Sequence, residues 1–362
     1  MPVISRISAT PYNIPLKAAL TWGSGHELQR LEHVLIRVEL SDGAVGFAEA
    51  TPRPSIYGET QVSVLHVINE HLAPMLLGQA IDSFAAVSAL SARAAIIKNN
   101  NTARGALDLA LHQALANSRG ERLTAYLGAE RDCIRLSAIV STGGPEAVMA
   151  DVDRAYHAGI RVFKVKIGRH LPSEINTIAA LIDAHPDAQF YVDANETLES
   201  SSGADILSRL RRMGVIHCEE ALPVHLLRER RQLRRDCAMP IIADDSAFTA
   251  RDLEREIAFD TFDILNIKTA RTGYSESALM LELCQSAEKD VMVGSQASSL
   301  LGCLQAAIFA GRRAVNCASE CSFFLNTDVD LSDAPPIEDG WLALDAAERS
   351  LASIQHGLMT RE

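Results

Sequence analysis

Between residues 1 and 50 the apolar side chains fall in β-branched, partly alternating runs. The clearest is His33-Val34-Leu35-Ile36-Arg37-Val38-Glu39-Leu40, and Ser41-Asp42-Gly43-Ala44 supplies a hairpin turn before another short strand. From about residue 60 to 117 the spacing changes to three and four. Val62, Val64, Leu65 and Ile68, then Ala106, Leu107, Leu109, Ala110 and Leu111, predict helices. Strands followed by a helical block predict an α+β capping domain over residues 1–125.

The rhythm changes again after about Ile134. Short β-branched runs at residues 134–140, 162–167, 189–192, 215–218, 241–243, 264–267, 291–293 and 314–317 alternate with helical patterns. The polar residues at the run ends, Lys166, Asp193, Glu219, Asp244 and Lys268, and then Gly294, recur every 24–27 residues. One strand, one helix and two short loops need about 25 residues, so the pattern predicts an α/β fold, a (β/α)₈ TIM-like barrel over residues 126–329. An open doubly wound sheet is the competing architecture, but no Gly-x-Gly-x-x-Gly follows any strand. The tail, residues 330–362, holds the strand-like Gly340-Trp341-Leu342-Ala343-Leu344 and is expected to return to the cap.

Strand ends at the carboxyl face of such a barrel are where its chemistry takes place. Lys164 and Lys166 are two apart and so share a face, and a second cation close by lowers a lysine pKa. Asp193, Glu219 and Asp244 end the next three strands, and three converging carboxylates repel unless a cation sits between them. Hard oxygen donors at a small open site point to Mg²⁺, with Mn²⁺ as the alternative. Lys268 ends the sixth strand, across the mouth from Lys166. A divalent cation between opposed amines suits removal of a proton α to a carboxylate.

Composition narrows the partners. Lys plus Arg number 34 and Asp plus Glu 46, a formal charge of −12, which disfavours nucleic acid and anionic membranes. The 48% apolar and 22% charged content is that of a soluble globular chain. No apolar run reaches the roughly 18 residues of a membrane span, and the first residues lack a signal-peptide pattern, so the cytoplasm is the expected compartment. The seven cysteines form no Cys-x-x-Cys and are expected to be reduced.

In order along the chain, Lys164-x-Lys166, Val192-Asp193-Ala194-Asn195, Cys218-Glu219-Glu220, Pro240-Ile241-Ile242-Ala243-Asp244-Asp245-Ser246, Asn266-Ile267-Lys268 and Gly294-Ser295 resemble the enolase superfamily, in its muconate-lactonizing subgroup. The resemblance implies Asp193, Glu219 and Asp244 as Mg²⁺ ligands and Lys166 and Lys268 as the acid/base pair. It implies that Lys164 contacts the substrate carboxylate and lowers the pKa of Lys166, and that Asn195 and Asp245 orient ligands or pair with a lysine. Four features depart from the family pattern. Ala221 replaces the usual Pro, and Tyr274 replaces a Gly, which would bring its ring into the mouth. Ser298 stands where relatives commonly carry Glu, which counts against muconate lactonization itself. Glu320 and Ser322 occupy the Asp-x-Asp positions with which dipeptide epimerases hold an ammonium group, which counts against that specificity.

The resemblance implies that substrate choice falls to cap segments over the barrel, for which Thr21-Trp22-Gly23-Ser24-Gly25-His26 and Pro54-Ser55-Ile56-Tyr57-Gly58-Glu59 are the candidates. Trp22, His26, Ser55 and Tyr57, with Tyr274, Ser298 and Glu320 from the barrel, are the candidate substrate contacts. The chain therefore reads as a Mg²⁺-dependent isomerase of a small carboxylate, a racemase or epimerase of an amino-acid derivative that assembles as a homo-oligomer. A muconate-type cycloisomerase, an acid dehydratase and a catalytically inactive binding barrel are the alternatives.

Overall fold

In the computed structural model, which describes residues 1–22, 26–140 and 143–360 and no side chain between 20 and 27, the chain starts as a three-stranded antiparallel sheet. Its strands are β1 (Ile4–Trp22), β2 (His26–Leu40) and β3 (Val45–Ala50). The β2–β3 hairpin turns at Gly43, whose φ of 87° a side chain would strain. One face of this sheet is closed by the helix Asn101–Ser118, which is buried along almost its whole length. Small residues permit the close approach: a Cβ on Gly46 would lie 2.1 Å from the Ala110 carbonyl oxygen.

The barrel begins after β4 (Cys133–Arg135). Seven parallel strands follow in spatial order: β5 (Ala138–Ile139), β6 (Val162–Lys166), β7 (Gln189–Asp193), β8 (Cys218–Glu219), β9 (Ile241–Ala243), β10 (Ile264–Ile267) and β11 (Asp290–Val293). Residues 316–320 complete the ring. The Glu320 N–H donates to Val293 O at 2.8 Å on one side, and the Ser137 N–H donates to Ser319 O at 2.8 Å on the other. The fold is thus the (β/α)₈ barrel with an antiparallel-sheet cap. Inside it, Val162, Tyr191, Ile242, Ile264 and Met292 pack into a plug below the charged strand ends, as layered barrel interiors require.

Two expected strands are displaced. The run 134–140 is split between β4 and β5, and ladder bonds of the eighth strand lie at 316–320 instead of 314–317. The last shift makes Glu320, not Cys317, the end of the eighth strand, where it is buried against Lys164. The tail contributes β12 (Ile337–Glu338) and β13 (Trp341–Ala343). β13 pairs with β4 at the foot of the barrel and not with the sheet β1–β3. The final helix, Leu344–Thr360, is tied back through Glu348, which accepts from the Leu123 and Thr124 N–H groups at 2.8 and 3.0 Å. All seven cysteines are free, and among the described residues no helix is long and apolar enough to cross a membrane.

Candidate active site

Strand alternation brings the charged ends together. In β6, Phe163 and Val165 point outward into the core while Lys164 and Lys166 point inward, and parallel register sets Lys166 beside Asp193 and Asp193 beside Glu219. Lys166 and Lys268 follow the second and sixth strands of the ring, on opposite sides of the mouth. The backbone here is strained. Asn195, Glu196, Glu220 and Ala297, all at strand ends, have positive φ values of 43°, 66°, 39° and 55°.

Each candidate metal-ligating carboxylate is engaged by a lysine. Lys166 Nζ lies 3.1 Å from Asp193 Oδ2 and donates to Asn195 Oδ1 at 2.6 Å. Lys164 Nζ is 3.0 Å from Glu219, 3.6 Å from Asp193 and 2.5 Å from Glu320. Lys268 Nζ donates to Asp244 Oδ2, whose other oxygen faces Arg271 Nη2 at 3.2 Å without a hydrogen bond. Asp245 lies 3.8 Å from Arg271 Nη1. Below them Glu220 accepts from the Asp244 and Ser246 N–H groups at 2.6 and 2.9 Å and from Arg230 at 3.3 Å, fixing the turn after β9.

These contacts set the protonation preferences. Burial alone would push Lys164 down, but Glu219, Glu320 and Asp193 hold it well above the ordinary lysine range. For Lys164 the carboxylates are the nearest charges, at 2.5–3.6 Å. Burial pushes Glu219 well up, with Lys164 opposing and Asp193, Glu320 and Asp244 adding like charge. Burial also raises Asp245, to about 6, helped by Asp244 beside it. Asp193 and Asp244 stay low despite burial, the first through Lys166 and Lys164, the second through Lys268 and Arg271.

Asp193, Glu219 and Asp244 fit a hard divalent cation in donor type and in placement on adjacent strands, and Asp244 keeps a buried oxygen without a hydrogen bond. As they stand, no group of three acidic, His or Cys side chains among the described residues is arranged to hold a metal ion, and an ammonium group lies on one oxygen of each of the three carboxylates. The lysines occupy the role of the cation.

Above these groups is a cavity of about 460 Å³, lined by Lys164, Lys166, Asp193, Asn195, Asp244, Asp245 and Lys268. The cap contributes Arg53, Ser55, Ile56 and Tyr57 to its wall. Gln296 Nε2 donates to the Tyr57 hydroxyl, and the Tyr57 ring packs on Phe248 at 5.3 Å. Arg53 Nη2 donates to the Gln296 carbonyl at 2.7 Å, tying cap to barrel.

Three expected substrate contacts lie elsewhere. Tyr274 is fully buried, donates to Gln305 O at 3.1 Å and stacks on Phe309, because its helix turns the ring into the cap junction. Ser298 is buried and does not line the cavity; its carbonyl accepts from Cys303 Sγ. Glu320 sits beneath the floor, accepting from Tyr191 OH at 2.8 Å and Ser295 N–H at 3.0 Å while pairing with Lys164. The side chains of Trp22 and His26 lie outside the described residues. Arg53, Phe248 and Gln296 escaped the sequence reading. An arginine between prolines in Pro52-Arg53-Pro54 was the available signal for the first, and nothing in the pattern marked the other two.

Residues 5–128 match the family model of the mandelate racemase/muconate lactonizing enzyme N-terminal domain, and residues 147–348 match the enolase C-terminal domain-like model. A muconate lactonizing enzyme from Mycobacterium smegmatis, complexed with muconolactone, is 32% identical, with a TM-score of 0.88 over 95% of this chain and 94% of that one. The L-Ala-D/L-Glu epimerase of Bacillus subtilis is 28% identical over 333 residues, 90% of this chain and 88% of the epimerase. A dipeptide epimerase from Cytophaga hutchinsonii, complexed with Mg and the dipeptide D-Ala-L-Val, is 25% identical, with a TM-score of 0.83 over 91% of this chain and 89% of that one.

Proposed function

Because this chain belongs to the mandelate racemase/muconate lactonizing enzyme family of the enolase superfamily, we propose that it is a Mg²⁺-dependent racemase or epimerase of an amino-acid derivative. Asp193, Glu219 and Asp244 would hold the ion, and Mn²⁺ would find the same oxygen donors. Bound there, Mg²⁺ supplies positive charge for the substrate carboxylate, which makes the neighbouring C–H more acidic. Lys166 takes or returns the α-proton on one face of the substrate and Lys268 on the other. Each must first leave the carboxylate it holds here. Lys164 stays charged in the cavity wall and presents its ammonium to the carboxylate end of the substrate. Residues 126–329 supply the chemistry, and residues 1–125 close and select through Arg53, Ser55 and Tyr57.

The observation that supports this reading is the placement of Lys166 and Lys268 on opposite sides of one cavity, each on a different candidate ligand. Its test is proton NMR in D₂O with Mg²⁺ and a panel of dipeptides and N-acylated amino acids, beginning with L-alanyl-L-glutamate and L-alanyl-D-glutamate. The α-proton signal should be lost from both stereoisomers, with inversion, and chelator should stop it. Failure of the whole panel to exchange with Mg²⁺ present would sink the racemase reading. The muconate lactonizing enzyme similarity favours a second one, cycloisomerisation, scored in the same experiment by loss of muconate absorbance.

A further inference from the structure

We propose that Asp108, on the cap helix Asn101–Ser118, is a positioning residue for Lys268: it grips, from outside the barrel, the single helical turn that follows that lysine. The proposal goes beyond the reading above and rests on it for the role of Lys268. The helix Thr269–Ser286 is broken at Gly273, whose φ of 64° and ψ of −174° are not helical. The break isolates Thr269–Thr272 as one turn and leaves the following N–H groups without partners in the helix. Asp108 Oδ1 accepts two of them, from Tyr274 at 2.5 Å and Ser275 at 3.1 Å. An acidic group at this restart is favoured by the helix dipole as well as by the hydrogen bonds.

Asp108 is itself fixed. It is 2% exposed, and its second oxygen accepts from Ser91 Oγ at 2.5 Å. Three residues earlier on the same helix face, Gly105 meets the isolated turn directly: a Cβ there would lie 2.8 Å from Ala270 O. The turn passes this constraint to Lys268. The Arg271 N–H and the Thr272 hydroxyl both donate to the Lys268 carbonyl at 3.0 Å, and Arg271 Nη2 donates to Asp244 O at 2.9 Å. Lys166 takes its partners from Asp193 and Asn195 instead, so a disturbance at Asp108 reaches one lysine and not the other.

Ser275, His112 and Asp108 superficially resemble a nucleophilic triad. Geometry excludes it, because Ser275 Oγ and Asp108 Oδ2 face the same nitrogen, His112 Nε2, at 2.8 and 3.6 Å, while Nδ1 faces Tyr126 OH. The cluster is a dock between cap and barrel.

The test compares Asp108→Ala, Asp108→Asn and Lys268→Ala, each loaded with Mg²⁺ in D₂O, on L-alanyl-L-glutamate and L-alanyl-D-glutamate. A displacement of about 1 Å at a proton-transfer group costs up to about a hundredfold in rate. Asp108→Ala should therefore slow exchange from the isomer that Lys268→Ala disables by at least about tenfold more than from the other. Asp108→Asn, which keeps an acceptor for both N–H groups, should restore most of the difference. In parallel, acylation of lysines by a small amine-reactive activated ester, mapped by mass spectrometry, should rise at Lys268 and stay constant at Lys166. An equal fall from both isomers, or unchanged Lys268 labelling in folded Asp108→Ala, overturns the proposal. If that variant does not fold, Ser91→Ala carries the same comparison with a smaller skew in the same direction, and no skew overturns it. If Lys268→Ala leaves both exchange rates intact, the base assignment is what fails, and the labelling alone decides whether Asp108 holds the turn.

Discussion

Replacing Lys164 by methionine tests the idea that lysines stand in for the cation. The side chain is 3% exposed and lies within 2.5–3.6 Å of Glu320, Glu219 and Asp193, so the variant leaves three buried carboxylates without their shared counter-charge. Methionine fills nearly the same volume, which confines the change to charge. Removing one partner of a buried ion pair costs about 3–5 kcal/mol. An unfolding entropy of about 2.1 cal/mol/K per residue gives about 0.76 kcal/mol/K for 362 residues, so the expected fall in Tm is about 4–7 °C in chelator.

Saturating Mg²⁺ should return most of that loss, because the ion then supplies charge to Asp193 and Glu219 itself. The variant should therefore gain more from Mg²⁺ than the wild-type protein does, while turnover stays absent in both conditions. Without Lys164 the carboxyls take up protons more readily in the folded state than in the unfolded one, so the deficit should shrink as pH falls towards 5. Calorimetry with and without Mg²⁺ at pH 5, 6, 7 and 8 reads all of this. An equal Tm loss with and without Mg²⁺, or a loss below about 1 °C in chelator, would refute the reasoning.

Glu219→Gln should abolish turnover and also the Mg²⁺-induced rise in Tm, while the chelator-treated protein keeps its near-native circular dichroism. His33 and His112 are buried and held neutral, their pKa values lowered by burial. The unfolded chain then binds protons that the folded one does not. Stability in chelator should accordingly fall as pH drops below about 6.5, and His112→Gln should flatten that slope by up to about 1.4 kcal/mol per pH unit. Gly273→Ala places a Cβ 2.3 Å from Asp108 Oδ1 at φ 64° and should cost at least about 1–3 kcal/mol in urea unfolding. Tyr57→Phe removes the hydroxyl that Gln296 addresses; a hydrogen bond worth about 0.5–1.5 kcal/mol translates into a KM rise of about two- to tenfold, with the Mg²⁺ response unchanged.

The barrel was legible because its signal is periodic: a β-branched run ending in a charge, repeated at the length of one β/α unit. Period alone could not place the eighth strand, whose ladder bonds lie at 316–320 because Asn316 and Cys317 both donate to Val291 O before the chain turns inward. Charged strand ends were legible for the same reason as the strands, since strand alternation commits Lys164 and Lys166 to one face. What lies beneath or behind a site has no such marker. Glu320 and Tyr274 sit at suggestive sequence positions, yet the first pairs with Lys164 below the floor and the second fills the junction of cap and barrel. Contacts across the cavity, such as Gln296 with Tyr57, join residues 239 apart in sequence and follow no local pattern.

The Lys164–Lys166 pair shows why proximity in sequence misjudges electrostatics. A second ammonium on the same strand face disfavours the charged form of a lysine, but nearer carboxylates can outweigh it. Here Lys164 has three carboxylates within 3.6 Å, and attraction to them outweighs repulsion from its neighbour. The same carboxylates are the candidate metal ligands or their immediate neighbours, so the lysines and the ion compete for one set of oxygens. A divalent charge arriving among them weakens the hold of each carboxylate on its ammonium, and with it the force that keeps the amines protonated. On the proposed assignment, metal entry and lysine acidity would be one linked equilibrium. Without metal the fold ties Lys166 to Asp193 and Lys268 to Asp244, so loading the site and freeing the two amines are the same event in the proposed reaction.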